Sequence, residues 1–140
     1  MLNSRELLTD SVLSNTAITE FTAVDYQGNQ AATQGMRVAG IAKYAASAAG
    51  QPMAIVTMGT AIMLTGAAIT RGQPVICDNQ GRAIPANNMA IAAGATAVTS
   101  AAANGANDLT GSDPPEHQIG IALAAAAGAG QFIEVQLCLR

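Results

Sequence analysis

The feature that most constrains this fold is the interruption of every alanine run by residues that favour strands or turns. Alanine is the strongest helix former, so a simple sum of propensities would predict helices throughout the chain. Glycine, threonine and β-branched residues break each run, and apolar residues recur at every second position more clearly than at helical spacing. In residues 131–140, Ile133, Val135, Leu137 and Leu139 alternate with other side chains, which is the pattern of a half-buried strand. We therefore predict an all-β chain.

A twelve-residue pattern occurs twice, 80 residues apart, at residues 40–51 and 120–131. Eight of the twelve positions are identical, including an opening Gly-Ile-Ala and a closing Gly-Gln. Part of this identity is expected by chance in an alanine-rich chain, but the matched ends favour a shared structural element. Each copy predicts a short strand that ends in Gly-Ile-Ala, a loop of small residues and then a longer strand.

Turn signals occur between the predicted strands. The Tyr-Gln-Gly-Asn of residues 26–29 follows a candidate strand at residues 18–25, and the Asp-Asn-Gln-Gly of residues 78–81 separates candidate strands at residues 75–77 and 82–84. Asparagine and glycine supply the positive φ angles that a tight hairpin turn requires. Many short strands joined by turns predict a sandwich or a barrel, and 140 residues suffice for one domain with its own core.

The N-terminal region and one long segment differ from the predicted barrel. We expect an arm over residues 1–17, a single β-barrel domain over residues 18–140, and a long loop excursion at residues 92–117. Asn3 and Glu6 have the spacing of a helix cap, so the arm is predicted to form a short helix or to become ordered only on a partner. The loop excursion is either a contact loop or a variable surface.

The charge content excludes several classes of function. Only 11% of the residues are charged and the net charge is −3, which indicates a chain that hides much of its surface against something else. The arginines are scattered and Lys43 is the sole lysine, which disfavours nucleic-acid binding. The uncharged stretch between Lys43 and Arg71 contains glycine, proline and threonine, so it predicts strands and turns instead of a membrane span. The first residues do not have the pattern of a signal peptide.

No group of residues has the pattern of a catalytic or metal site. The sequence lacks a phosphate-binding loop, and His117, the only histidine, is predicted to lie in a solvated loop. Asp108 and Asp113 do not have calcium-loop spacing, and Cys77 and Cys138 do not have metal or redox spacing. We therefore expect no enzyme activity, no cofactor and no metal, and we interpret both cysteines as free thiols.

Several motifs in a fixed order resemble the head decoration (capsid cement) proteins of tailed bacteriophages. The similarity extends from about residue 21 to residue 139. It is carried by residues 37–42 (Arg-Val-Ala-Gly-Ile-Ala), 49–56, 59–61, 66–75, 78–83 and 119–135. The resemblance implies a compact β-barrel or tulip-like domain that lies on the outer surface of the virion capsid after synthesis in the host cytoplasm. It implies the major capsid protein as a partner and self-association, as a homotrimer or alternatively a dimer.

The resemblance also implies which residues make contacts. A terminal arm would reach the next subunit, so its apolar residues are the candidates for capsid or subunit contact. They are Leu2, Leu7, Leu8, Val12 and Leu13. A tail, baseplate or spike component with the same small β-module is an alternative function, and a barrel-fold hydrolase or lyase is a second one.

Overall fold

The structure is a computed structural model that describes residues 4–86 and 116–139. Within these residues the chain forms eight β-strands and no helix. The strands are β1 (Glu6–Leu13), β2 (Ala23–Val24), β3 (Gly40–Ala42), β4 (Pro52–Leu64), β5 (Pro74–Cys77), β6 (Ala83–Pro85), β7 (Gly120–Ala122) and β8 (Phe132–Leu137).

All the strand pairs are antiparallel and belong to one curled sheet. The strand order is β2-β3-β4-β8-β7-β5-β6, and β1 pairs with β4 outside this path. The curl brings distant parts of the sheet together. Thr65 forms an isolated β-bridge with Ala83, and the Ala23 N–H donates to the Gly81 carbonyl at 2.7 Å. The described chain is thus a half-barrel, which confirms the predicted all-β, barrel-like fold class.

The core is built from small and β-branched side chains. It consists of two clusters. The larger cluster includes Val56, Met63, Val75, Ile119, Ile133 and Val135, and the smaller one consists of Ile18, Val24, Ala42, Ala46, Met53 and Ile55. Close backbone approach compensates for the small side chains. A Cβ atom on Gly40 would lie 2.7 Å from the Val56 carbonyl oxygen, and one on Gly120 would overlap the Gln136 carbonyl oxygen.

The predicted hairpin and the predicted final strand are confirmed. β5 and β6 pair across the turn at residues 78–81, with Cys77 opposite Ala83. The buried Asp78 carboxylate accepts the Gln80 and Arg82 N–H groups at 2.8 Å and forms an ion pair with the Arg82 guanidinium at 2.7 Å. In β8, Ile133 and Val135 are fully buried, as the alternation predicts.

The two copies of the sequence pattern form the same structure. Ala42 lies opposite Ile55 in the pair β3–β4, and Ala122 lies opposite Val135 in the pair β7–β8. Ala122 is 80 residues after Ala42, and Val135 is 80 residues after Ile55, so the two pairs are equivalent. The predicted arrangement of a Gly-Ile-Ala strand, a loop and a longer strand is therefore confirmed for both copies.

The repeat extends beyond the predicted pattern. β1 pairs with the first half of β4 from Thr9 opposite Val56 to Leu13 opposite Pro52, and the second half of β4 pairs with β8 from Thr60 opposite Gln136 to Leu64 opposite Phe132. Residues 9–13 are thus equivalent to residues 60–64, at a spacing of 51 residues. The single strand β4 ends the first unit and begins the second.

Buried hydroxyl groups occupy equivalent places in the two units. The Thr65 hydroxyl donates to the Gly128 carbonyl at 2.7 Å and accepts the Gln131 N–H at 3.0 Å. The Ser14 hydroxyl likewise donates to the carbonyl of Ala48 at 2.8 Å and accepts the N–H of Gln51 at 3.1 Å. Each hydroxyl attaches a loop of small residues to the strand beside it.

The expected short helix near the N-terminus is wrong for the described residues. Residues 6–13 form β1, which pairs with β4 in a continuous register from Thr9 to Leu13. An isolated helix of this length is marginal in water, whereas pairing with β4 provides hydrogen-bond partners for the backbone. Whether residues 1–17 act as a separate arm stays a prediction.

The candidate strand at residues 18–25 is largely wrong. Only Ala23 and Val24 form a strand there, although Ile18 makes an isolated bridge to Ala46. Phe21 has a φ of 59°, which strand geometry does not accommodate, so the chain turns before β2. Most of the predicted loop excursion at residues 92–117 lies outside the described residues, which resume at residue 116.

Candidate contact surface

The arm residues singled out in the sequence lie mostly on an exposed strand. On β1, the side chains of Leu7, Leu8 and Leu13 are exposed by 76%, 54% and 67%. Exposed apolar side chains that lie together on a surface are typical of interaction sites. Leu2, the remaining leucine of the set, lies outside the described residues. β1 is therefore the most apolar exposed strand in the described part of the chain.

Val12 differs from the other members of the set. Its side chain is half-buried and packs against the smaller core cluster, in which Met53 is its partner across the strands. This contact attaches β1 to the domain. Contact by Val12 with a capsid or subunit partner stays a prediction, as it does for the leucines.

Met58 also belongs to this surface, although it is not among the residues expected from the sequence. It lies opposite Leu8 where β1 and β4 are irregularly paired, and its side chain is 55% exposed. Apolar residues are common along β4, so no pattern distinguishes Met58; only the pairing register brings it beside Leu8. A shallow depression begins here. It is lined by Arg5, Leu7, Met58, Thr60, Gln136 and Leu137.

An ion pair attaches the start of β1 to the rest of the domain. Lys43 Nζ donates to Glu6 Oε2 at 2.7 Å, and Nζ also lies 5.7 Å from the centre of the Tyr44 ring. The hydrogen bond from Lys43 lowers the pKa of the Glu6 carboxyl, and the same bond raises the pKa of Lys43. The only lysine of the chain thus adds one partly exposed ion pair to the backbone pairing that attaches β1 to β4.

The remaining chemically active side chains of the described residues are dispersed. His117, with Tyr26 and Arg37, lines a separate cleft, and the His117 backbone N–H donates to the Gly35 carbonyl at 2.8 Å. Among residues 4–86 and 116–139, no three His, Cys, Asp or Glu side chains are grouped closely enough to hold a metal ion.

Both cysteines are free thiols in the structure. Cys77 is fully buried in β5, and burial raises the pKa of its thiol. Cys138 is partly exposed after β8. In the part of the chain that is described, no helix is long and apolar enough to cross a membrane.

Comparison with known proteins supports the resemblance seen in the sequence. Residues 4–137 match the phage cement protein family. No curated protein sequence matches the chain. A solved structure described as the N base of head fiber gp8.5 of bacteriophage phi29 is similar, with a TM-score of 0.62 and 13% identity over 94% of this chain and 93% of that one. At this identity the likeness shows a shared fold.

The family match spans nearly the whole chain. The motifs that suggested the family occupy strands and turns of the barrel-like sheet, including its two repeated units. The chain belongs to the phage cement protein family.

Proposed function

We propose that this protein binds the outer surface of the expanded phage capsid and cements neighbouring major capsid proteins, stabilising the head. The family match supports a capsid-stabilising structural role in the virion. The observation that carries the finer proposal is the exposed apolar strand β1, whose Leu7, Leu8 and Leu13 side chains face solvent. Burying this apolar surface against a partner would stabilise the complex by about 25 cal/mol per Å² of apolar area removed from water.

The stabilisation is multivalent. One small contact is weak, but repetition over a symmetric shell adds many such contacts, so each copy needs only a modest affinity. The low charge of the chain suits this arrangement, because few ionised groups must lose water at the interface. Self-association as a homotrimer, or alternatively a dimer, would strengthen the attachment further. No catalytic step is needed, and we propose that the protein is not an enzyme.

A second role is favoured by one observation. The similar solved structure is the N base of a head fiber, so this domain would also suit the attachment base of a projection on the head. A place in the tail, baseplate or spike is a further alternative. Images of whole virions distinguish these sites, since density on the tail would contradict the head proposals.

The direct test uses undecorated, expanded heads and the purified chain. We expect ordered additional density on the capsid lattice, with neighbouring major capsid proteins bridged by one copy or oligomer. A lattice without added density would contradict the proposal.

The contact surface is tested with matched variants. Leu7→Glu combined with Leu13→Glu places charge on the exposed face of β1 and should reduce head binding at least tenfold. Tyr26→Glu introduces charge at a side chain of similar exposure, 66%, outside β1 and should bind as the unmodified protein does. Equal binding by both variants would exclude β1 as the docking strand.

A further inference from the structure

Strand β1 has one paired edge and one open edge. It pairs with β4 and with no other strand of the described chain. The short strands at the two ends of the sheet are covered, because the Gly66 N–H donates to the Ala83 carbonyl of β6 and the Ala23 N–H of β2 donates to the Gly81 carbonyl. Among the described residues, β1 is therefore the one long strand with an open edge.

The internal repeat shows which groups face this open edge. Thr60 occupies the place of Thr9 in the second unit, and its N–H donates to the Arg5 carbonyl at 2.9 Å instead of to β8. The Thr9 N–H consequently faces away from β4. Ser11 has the same orientation, since strand residues alternate, and its N–H donates to the Asp10 carboxylate at 2.8 Å. The second half of β4 is thus covered at Thr60 by Arg5. The outward edge of β1 is covered at its end, where Gly28 lies against the Leu13 carbonyl, but no other strand of the described chain pairs with Thr9 or Ser11 on this side.

We propose that the open edge of β1 pairs antiparallel with β1 of a second copy of this chain. If a chain has one long open strand edge, two copies can pair these edges only about a two-fold axis, so that each copy contributes the same strand. Such an addition supplies backbone hydrogen bonds to Thr9 and Ser11 of each copy.

The charges near the start of β1 are complementary about a point between Leu7 and Leu8. Arg5, which directly precedes β1, and Asp10 lie equally far along the chain from this point, and both side chains are exposed. In the described chain the ion pairs join other residues, so these two charges are available to a partner. An antiparallel pairing centred between Leu7 and Leu8 places Arg5 of each copy opposite Asp10 of the other, so that the Asp10 carboxylate releases the Ser11 N–H to the new strand pair. The Leu8 side chain, which is 54% exposed, meets Leu7 of the other copy at the axis.

The contact has a definite effect on assembly. It forms a dimer from monomers, and it joins two trimers where another surface forms trimers. On a shell it would link neighbouring decoration sites across a two-fold axis. The contact concerns the edge of β1, so it is measured in solution without heads, and its failure is distinguishable from failure of capsid binding.

The test compares Ser11→Pro with Ser11→Ala by sedimentation equilibrium over a concentration series. Proline removes the outward N–H and is tolerated at such an edge position, so the pairing of β1 with β4 is retained. We expect the mass of Ser11→Pro to be half that of the unmodified chain, and Ser11→Ala to keep the full mass. An unmodified chain that stays monomeric throughout, or a Ser11→Pro variant of unchanged mass, would overturn the proposal.

A charge exchange keeps the test decisive if Ser11→Pro fails to fold. Arg5→Asp opposes two like charges across the axis and should halve the mass. Adding Asp10→Arg to the same chain restores opposite charges and should restore the full mass. Arg5→Asp at full mass would contradict pairing of β1 with itself in this register.

Discussion

The buried hydroxyl of Thr65 provides a quantitative test of the fold. Thr65 is fully buried, and its hydroxyl joins the Gly128 carbonyl and the Gln131 N–H to the end of β4. Thr65→Val keeps the shape of the side chain but leaves both groups without this partner. Each unsatisfied buried group costs about 1–3 kcal/mol. Because Gly128 and Gln131 are partly open to water, we expect a loss of about 2 kcal/mol in the free energy of unfolding, near the lower bound for two such groups.

Urea unfolding at a fixed protein concentration measures this loss, since self-association would otherwise change the apparent stability. The corresponding fall in Tm is about 6–8 °C for a chain of this size. Thr65→Ser is the matched control: it keeps the hydroxyl and loses one methyl group, at about 1 kcal/mol. If Thr65→Val were as stable as the unmodified protein, or more stable than Thr65→Ser, the assigned role of the hydroxyl would be wrong.

Three further predictions follow from the structure. Gly120→Ala should lower the free energy of unfolding in urea by about 1–3 kcal/mol, because the new Cβ would overlap the neighbouring strand. Gly128→Ala is the control: its Cβ would meet open space, so its free energy of unfolding should stay within about 0.5 kcal/mol of the unmodified value. Since the pKa of Glu6 is lowered in the folded state, its contribution to stability is present above about pH 4 and is lost as the pH falls through the lowered value. The protection of the β1 amides from exchange, relative to the unstructured chain at the same pH, should fall there, and Lys43→Met should remove this pH dependence. The Cys77 thiol, buried and with a raised pKa, should react with a disulfide reagent only after unfolding; rapid reaction of the native chain would contradict its placement.

The parts of the fold that could be predicted are those governed by local patterns. The alternation around Ile133 and Val135 identified β8, and the turn beginning at Asp78 identified the β5–β6 hairpin. The repeated Gly-Ile-Ala identified the short strands β3 and β7. Its glycine is required in both, because a Cβ atom on residue 40 or 120 would come too close to the backbone of the neighbouring strand.

The parts that could not be predicted depend on contacts distant in sequence. β1 has apolar residues at spacings that suit a helix, and only its pairing with β4 makes it a strand. The full repeat was hidden because equivalent residues are 51 apart at its start and 80 apart at its end, since the second unit contains 29 more residues. A search at one fixed offset therefore detects only the pattern at residues 40–51 and 120–131.

The candidate surface was partly predictable. Leu7, Leu8 and Leu13 were identified from their apolar character near the N-terminus, and the structure places all three on an exposed strand. Met58 was missed because its exposure results from the irregular pairing opposite Leu8, which sequence periodicity does not reveal.

The measurement that tests cementing most directly is the temperature at which filled heads release their DNA. Undecorated, expanded heads are compared with the same heads after saturation with the purified chain, and occupancy is checked by imaging. Decorated heads are expected to retain their DNA to a higher temperature, and the Leu7→Glu, Leu13→Glu variant added at the same concentration is expected to give no such increase. Heads that carry the protein at full occupancy yet release DNA at the same temperature as undecorated heads would contradict the role of a cement.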